Sequence, residues 1–454
     1  MITFRGGIHP PEYKELAEEK AIEVMPPPGK VVIPLSQHTG TPAKPIVKVG
    51  DEVKVGTIIA EPVGMISTAM HSSIAGKVKD ICLWTHPVLP VPVTAVVIER
   101  GEGDELDASI KPRSASEIEK LKPDQIREII RNAGIVGLGG AAFPTSVKIT
   151  PPKDVTIDTL IINGAECEPF LTADDRLMRE RPEPIIEGAK MLAGVLGLDK
   201  AIIAVEHNKP EAIKVMTETA ARVWPGAKVA TVKTKYPQGA EKQLISALLK
   251  RAVPRGGLPF MVGVVVQNAG TALTVFEAVA SRKPLYERVV TVTGPGITEP
   301  KNLLVRIGTL ASDVVAQCGG VKPEATKFIS GGPMMGIAQS TLDVPVIKGT
   351  SGMLFLGGKG RLFKVHPEVN CLRCGKCVGV CPMKLVPCEI ARMGEYEKLE
   401  DAEKWGILDC MECGSCAFVC PSGRRLVQWI KYGKNLIFAE RSRQAGSGRK
   451  KEKK

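Results

Sequence analysis

Gly134-Ile-Val-Gly137-Leu-Gly139-Gly140-Ala-Ala-Phe143-Pro-Thr-Ser-Val-Lys148 governs how the middle of this chain can fold. Glycines let backbone N–H groups come close to a phosphate and take up positive φ, and a lysine just beyond can complete an anion site. Gly137-x-Gly139-x-x-Ala142 matches the dinucleotide fingerprint as a pattern. That fingerprint needs a strand before it. Here Ile126, Ile129 and Ile130 are spaced as on a helix that leads into the loop. The sequence therefore predicts a phosphate cradle of another type, with a ligand-free Gly-rich turn as the alternative.

Strand-like runs follow the loop at 160–162, 201–205, 229–232 and 262–266, with helical segments between them. Two of the runs end in polar groups. The first leads into Asn163-Gly-Ala-Glu166-Cys-Glu168-Pro169 and the last into Gln267-Asn268-Ala-Gly-Thr271. Open α/β sheets bind ligands at the carboxyl ends of their strands. An amide can bond an isoalloxazine edge, and a carboxylate can meet ribose hydroxyls or a nicotinamide amide. Two amide-bearing strand ends beside a Gly-rich lysine loop describe a nucleotide or flavin pocket. Cys167 inside this motif reads as a small filler.

Toward the C-terminus, Cys371-x2-Cys374-x2-Cys377-x3-Cys381-Pro382 recurs as Cys410-x2-Cys413-x2-Cys416-x3-Cys420-Pro421. This is the ligand spacing of paired [4Fe–4S] clusters, in which the cysteine before Pro ligates the other cluster. The pattern assigns Cys371, Cys374, Cys377 and Cys420 to one cluster, and Cys410, Cys413, Cys416 and Cys381 to the second. Structural zinc sites rarely crowd four cysteines so tightly, and a disulfide framework fails on the same crowding. Cys388 falls outside both runs and reads as a packing residue.

Toward the N-terminus, residues 28–105 read as all-β, with short apolar runs at 30–34, 46–49, 57–60, 76–81 and 93–98. Val47-Lys-Val-Gly50-Asp51-Glu-Val53 followed by Ser73-Ile-Ala-Gly76-Lys-Val78 resembles the lipoyl/biotinyl barrel-sandwich carriers. Those carriers present a lysine on a hairpin. The corresponding stretch Glu61-Pro-Val-Gly-Met-Ile-Ser-Thr-Ala-Met70 has none, so a structural platform is expected, with His71 in packing. Phe4-Arg-Gly-Gly-Ile-His9-Pro-Pro11 reads as an arm that packs on something else.

At 454 residues the chain needs several cores. Aromatics make up 4%, which argues against a base-stacking nucleic-acid surface. The formal charge of +12 is uneven: the last fourteen residues hold seven bases and one acid, a net of +6. Such a tail suits an anionic surface or mere solubility; a basic amphipathic helix is expected over Leu426–Arg443, and the end GSGRKKEKK reads as disordered. The least polar stretch, 261–280, contains Gln267, Asn268 and Glu277, so a buried strand and helix is expected rather than a membrane span. No charged-then-apolar leader opens the sequence.

The loop, the Asn-x-x-Glu-x-Glu-Pro segment and the Gln-Asn-x-x-Thr segment resemble the FMN- and NADH-binding subunit of respiratory complex I. From Phe4-x-Gly-Gly-Ile-His9-Pro-Pro to the double cluster run, the chain resembles the RnfC family. Its members serve the Rnf electron transport complexes, membrane-associated ferredoxin:NAD+ oxidoreductases. The resemblance implies a multidomain α/β plus all-β fold. It comprises an arm (1–27), a barrel-sandwich hybrid (28–105), a complex I-type α/β flavin domain (115–285), a β-grasp domain (286–356), a two-cluster ferredoxin domain (362–430) and a basic tail (431–454). By motif, Gly137, Gly139, Gly140, Lys148, Asn163, Glu166, Gln267, Asn268 and Thr271 would line FMN, and Phe143 and Glu168 would contact NAD(H). Lys235-Tyr236-Pro-Gln-Gly239-Ala-Glu241-Lys242 resembles a nucleotide-side loop, with Glu241 and Lys242 near NAD(H). Two departures stand out. Leu138 replaces an arginine, and Ala165 a carboxylate. The implied setting is peripheral, at the cytoplasmic face of the cell membrane, beside membrane-spanning subunits, with ferredoxin reached through a partner and no nucleic acid. Two other readings stay open: a flavin/iron–sulfur cobalamin reductase of diol utilisation, and a non-enzymatic electron-carrier scaffold whose flavin site has degenerated.

Overall fold

The computed structural model describes residues 1–357 and 367–451, the last seven by backbone alone. The first residues of the expected 362–430 domain and the last three of the chain lie outside the described residues. The chain forms two compact units. The larger holds Pro11–Lys233 and Pro259–Gly360, and the smaller holds Ile2–Pro10, Thr234–Leu258 and Arg361–Lys454.

Three layered assemblies make up the larger unit. The barrel-sandwich has a four-stranded sheet ordered Lys30–Pro34, Val93–Arg100, Gly76–Trp84, Glu52–Val53, and a three-stranded one of Lys44–Pro45, Ile58–Glu61 and Met70–His71. Alternating side chains such as Val31, Ile33, Ile59, Met70, Val96 and Ile98 fill the space between. The 46–49 run is not a strand; the strand ends at Pro45, one further backbone bond runs from the Ile46 N–H to the Ile59 carbonyl at 3.0 Å, and Val49 is exposed. His71 is buried, as packing requires, and burial pushes its ring down to about 3.

The α/β assembly is a parallel sheet ordered Ala227–Val232, Ala201–Glu206, Thr159–Gly164, Val264–Asn268. Counted along the chain, the order is 3-2-1-4, which puts a topological switch point between the first and fourth strands. The fourth strand starts two residues later than its apolar run, because Val262 closes a 3-10 turn and Gly263 takes a φ of 75°. Helix Ala269–Ser281 follows it directly, so the least polar stretch is a buried strand and helix. No described helix is long and apolar enough to cross a membrane. Helix Pro182–Val195 packs on Ala269–Ser281 so closely that a Cβ on Gly188 would sit 1.8 Å from the Ala272 carbonyl oxygen.

The third assembly is a six-stranded mixed sheet with helix Ala311–Gln317 against it. Its edge strand, Ile22–Val24, comes from the N-terminal segment and runs parallel to Lys301–Arg306. The expected arm 1–27 is therefore divided: Ile2–Pro10 group with the smaller unit and the rest with the larger.

The smaller unit is helical. Pro387–Glu395 packs against the long helix Leu426–Lys451 around Ile390, Ile407, Leu426 and Ile430. The backbone of that helix continues to Lys451, into the stretch read as disordered.

Candidate functional site

The Gly-rich loop follows helix Pro123–Asn132, as its pattern required, and ends in the short helix Thr145–Lys148. It doubles back on itself: the Gly137 N–H donates to the Phe143 carbonyl at 2.9 Å. Gly139 and Gly140 are exposed, while Gly137, Phe143 and Lys148 are half-buried. The loop lies over the ends of the first and fourth strands, whose residues Asn163 and Asn268 are register partners. A Cβ on Gly139 would meet the Asn268 amide nitrogen at 3.0 Å, so the loop lies tightly against this strand end.

Thr271 ties the loop down. Its hydroxyl accepts from the Leu138 N–H at 2.9 Å and donates to the Val136 carbonyl at 3.3 Å. Expected as a residue lining the flavin, it is wholly buried, with its hydroxyl committed to the loop backbone. Asn268 caps the following helix by accepting from the Thr271 N–H at 3.3 Å, and its Nδ2 donates to Asp174 at 2.7 Å. The Leu138 side chain is buried, and its carbonyl accepts from Arg288 Nη2 at 3.4 Å. A guanidinium thus lies under the loop at the position where the loop itself carries no charge. Burial pushes Arg288 down to about 10, against the opposing pull of Asp174.

Gln267 meets the sequence expectation differently. It is buried, and neither its Nε2 nor its Oε1 has a hydrogen-bond partner. The Thr145 hydroxyl, at the foot of the loop, is likewise buried and unpaired. Buried polar groups are almost always satisfied. Two orphans beside a strand-end cradle fit a polar ligand such as a flavin.

The acidic segment is braced from below. Glu166, at a φ of 49°, accepts from the Asp174 and Asp175 N–H groups at 2.7 and 3.2 Å and so caps helix Ala173–Glu180. Burial holds its carboxyl above the usual range while Lys14 pulls it down. Buried Lys14 donates to the carbonyls of Glu166 at 3.0 Å, Glu168 at 3.1 Å and Leu171. Lys209 donates to the Ala165 carbonyl at 2.8 Å and pairs with Glu206 at 3.5 Å. Burial lowers Lys209, but Glu206, Glu166 and Asp175 outweigh it and hold the group above its ordinary value. Glu168 is committed as well: its carboxylate accepts from the Met334 and Met335 N–H groups at 3.1 and 3.0 Å. Asn163 is half-buried, with its Oδ1 turned to the Ala165 N–H at 3.2 Å. Lys14, Asp174, Lys209 and Arg288 were missed in the sequence. Lys14 and Arg288 lie far from the loop along the chain, and no local pattern marks them.

The two cysteine runs adopt one local fold twice. Arg373 N–H donates to Cys371 Sγ and Glu412 N–H to Cys410 Sγ, both at 3.4 Å. Arg373 and Glu412 both take positive φ, as do Gly375 and Gly414, and Lys384 and Gly423 three residues past the prolyl-flanked cysteines. Cys381, Cys410, Cys413 and Cys416 line a single cavity with apolar walls. Burial, then Cys410, Cys413 and Cys381, push the Cys416 thiol up. Thiols that crowd one another in this way suit a multi-iron cluster, which takes them as thiolates. Cys371 and Cys374 are exposed, Cys377 is buried and Cys420 half-buried. Cys388 lies beside Cys377; burial and then Cys388 push the Cys377 thiol up to about 11. The loop 235–242, expected on the nucleotide side, belongs to the unit that carries these cysteines.

Family models match four successive stretches of the chain. A barrel sandwich hybrid domain of RnfC matches 2–103, and the FMN-binding domain of Nuo51 matches 130–277. An SLBB domain matches 289–338, and a 4Fe–4S dicluster domain matches 364–421. The C subunit of the proton-translocating ferredoxin:NAD(+) oxidoreductase complex of Clostridium ljungdahlii is 47% identical over 95% of this chain and 93% of its own length. The chain belongs to the RnfC family. Within that family, the C subunit of the Na(+)-translocating complex of Acetobacterium woodii is 45% identical, covering 97% of this chain and 98% of its own. The C subunit of the ion-translocating oxidoreductase complex of Rhodobacter capsulatus is 42% identical, covering 97% and 84%. An NAD+-reducing [NiFe]-hydrogenase shares the fold, with a TM-score of 0.50 at 19% identity over 69% of this chain and 64% of that one. The RnfC chain thus combines a barrel-sandwich, an FMN-binding α/β domain, an SLBB domain of β-grasp type and a dicluster domain.

Proposed function

We propose that this chain is the NAD(H)-reactive electron-transfer subunit of an ion-translocating ferredoxin:NAD+ oxidoreductase. The observation that carries the reading is near-full-length similarity to the RnfC chains of two such complexes, with flavin and dicluster domains on one polypeptide. FMN, when bound, supplies the exchange between a two-electron hydride and single electrons. The backbone N–H groups at Gly139 and Gly140, with Lys148, would hold its phosphate, while Gly137 fixes the turn of the loop through its N–H bond to the Phe143 carbonyl. Asn163, Gln267 and Asn268 meet the ring edge, and the buried Gln267 amide gains the partners it lacks. Glu166 and Thr271 act from behind, setting the backbone of the two strand-end loops. Phe143 and Glu168 border the nicotinamide nucleotide. Hydride exchange needs no acid–base side chain, so these residues bind, orient and exclude water.

In the dicluster domain, Cys371, Cys374, Cys377 and Cys420 hold one [4Fe–4S] cluster and Cys410, Cys413, Cys416 and Cys381 the other. The cavity shared by the second set supports that crossing. Ion movement belongs to membrane-spanning partner subunits, with this chain peripheral at the cytoplasmic face and ferredoxin reached through a partner. The similarity to RnfC chains disfavours a cobalamin reductase. The orphaned Gln267 and the Arg288 contact to the loop disfavour a degenerate flavin site.

Anaerobic visible titration of the iron-reconstituted chain with NADH, with and without FMN, tests the reading. Flavin bleaching followed by loss of the cluster absorbance is expected only with FMN present. Clusters that respond to dithionite alone would overturn the nucleotide site.

A further inference from the structure

Two segments far apart in sequence close over one set of cysteines. The first is the Gly-Gly arm. The Gly7 N–H donates to the Val380 carbonyl at 2.8 Å, and Ile8 and Tyr236 exchange backbone hydrogen bonds at 2.8 and 2.9 Å. The arm fits because it has no side chains there. A Cβ on Gly6 would lie 3.0 Å from the Cys381 carbonyl oxygen, and one on Gly7 would lie 2.6 Å from the Tyr236 carbonyl oxygen. Both glycines also hold positive φ, at 88° and 78°. Lys235 fastens the arm from the other side, donating to the Phe4 carbonyl at 3.0 Å with its ammonium over the Phe4 ring.

The second segment is Tyr236–Gln243. The Tyr236 hydroxyl donates to the Cys413 carbonyl at 2.8 Å, and Gln243 Nε2 donates to the Pro382 carbonyl at 3.3 Å. Phe4, Ile8, Tyr236, Gln238 and Gln243 are all buried. Further along, Arg255 holds Asp409, the residue before Cys410, at 2.6 Å. These contacts fall on Val380–Pro382 and on Asp409–Cys413. Cys371 and Cys374, by contrast, stay exposed.

We propose that Phe4–Ile8 and Tyr236–Gln243 form a sleeve that excludes water from the cluster held by Cys381, Cys410, Cys413 and Cys416. The sleeve thereby sets that cluster's reduction potential apart from its neighbour's. Solvent exposure and hydrogen bonding are among the main controls on such potentials. Reduction adds negative charge, which water stabilises, so the sleeved cluster is the lower-potential one. Tyr236 acts as a positioning residue: it turns the positive end of its O–H toward the Cys413 carbonyl. The inference rests on the two-cluster reading and adds to it an inequivalence built by the protein.

The test combines two readouts. In the holoprotein, redox titration followed by electron paramagnetic resonance separates the two clusters. Gly7→Ala should raise the potential of one cluster and speed release of its iron to a chelator, leaving the other unchanged. Tyr236→Phe, a conservative change that keeps the fold, should lower the potential of that same cluster by removing the donor. In the metal-free protein, iodoacetamide labelling mapped by mass spectrometry should reach Cys371 and Cys374 well before Cys413. Gly7→Ala should narrow that gap. Equal shifts in both clusters, no shift in either variant, or equal labelling of Cys374 and Cys413 would overturn the sleeve. Iron and sulfide analysis of the unmodified chain tests the two-cluster reading separately.

Discussion

Cys413 and Lys148 anchor different cofactors through different chemistry, so their variants should separate cleanly. Cys413→Ser removes a thiolate from a shared cavity. We expect it to damage one cluster's spectrum and leave flavin bound; flavin loss with both clusters intact would contradict that division. Lys148→Ala removes the cation at the foot of the Gly-rich loop and should weaken FMN retention on gel filtration. Unchanged retention would take Lys148 out of the phosphate site. Lys348 yields a pH signature. Its ammonium is buried, bonded to the Ala69 and Gly134 carbonyls at 2.8 and 2.7 Å, and burial pushes its pKa from 10.5 down to about 7. Between those values the unfolded chain binds the extra proton, so folding stability rises with pH across that window. Melting temperatures measured from pH 7 to 10 should climb in the native chain and flatten in Lys348→Met. At this scale the amides and glycines stand out in the sequence because they form local patterns. It missed Lys14, Lys209, Asp174 and Arg288, because each acts on backbone carbonyls or partners contributed by other segments.

Thr271 and Gly188 show how elements are held to the tolerance the cradle needs. Thr271 joins the helix after the fourth strand to the loop before the first. Thr271→Val keeps the shape but leaves the buried Leu138 N–H without its acceptor. A loss of about 1–3 kcal/mol is expected, read in thermal unfolding, with FMN affinity falling alongside. Gly188 lets two helices touch backbone to backbone. A methyl there meets the Ala272 carbonyl oxygen, so Gly188→Ala should destabilise by about 1–3 kcal/mol or more through overpacking. A melting temperature equal to that of the native chain would show that the helices can part without cost. Element types in the α/β region were legible from apolar periodicity. Their ends were less so: Gly263 delayed the fourth strand, and in the barrel-sandwich the 46–49 run keeps a single bond to its neighbour, at Ile46, instead of forming a strand.

For the molecule as a whole, one prediction concerns assembly. If the chain is peripheral to membrane-spanning partners, native membranes should retain it in low salt and release it with high salt or detergent. Recovery wholly in the soluble fraction would favour a reductase outside such a complex. Domain order along the sequence did not foretell how the chain divides. The arm and the 234–258 insertion leave the larger unit and join the cysteine helices.

Chemistry that depends on spacing could be read from the chain alone. Eight cysteines in two registered runs, glycines in a loop with a lysine, and amides at strand ends all point to their ligands through local geometry. What surrounds those groups was settled by the folded arrangement. Gly6 and Gly7 are glycines because Cys381 and Tyr236 lie against them. Thr271 and Glu166 spend their hydrogen bonds on backbone N–H groups of neighbouring segments. A guanidinium from another sheet takes up the space beneath an uncharged loop. Close approach and the exclusion of water arise from residues remote in the chain, and no periodicity in the sequence records them.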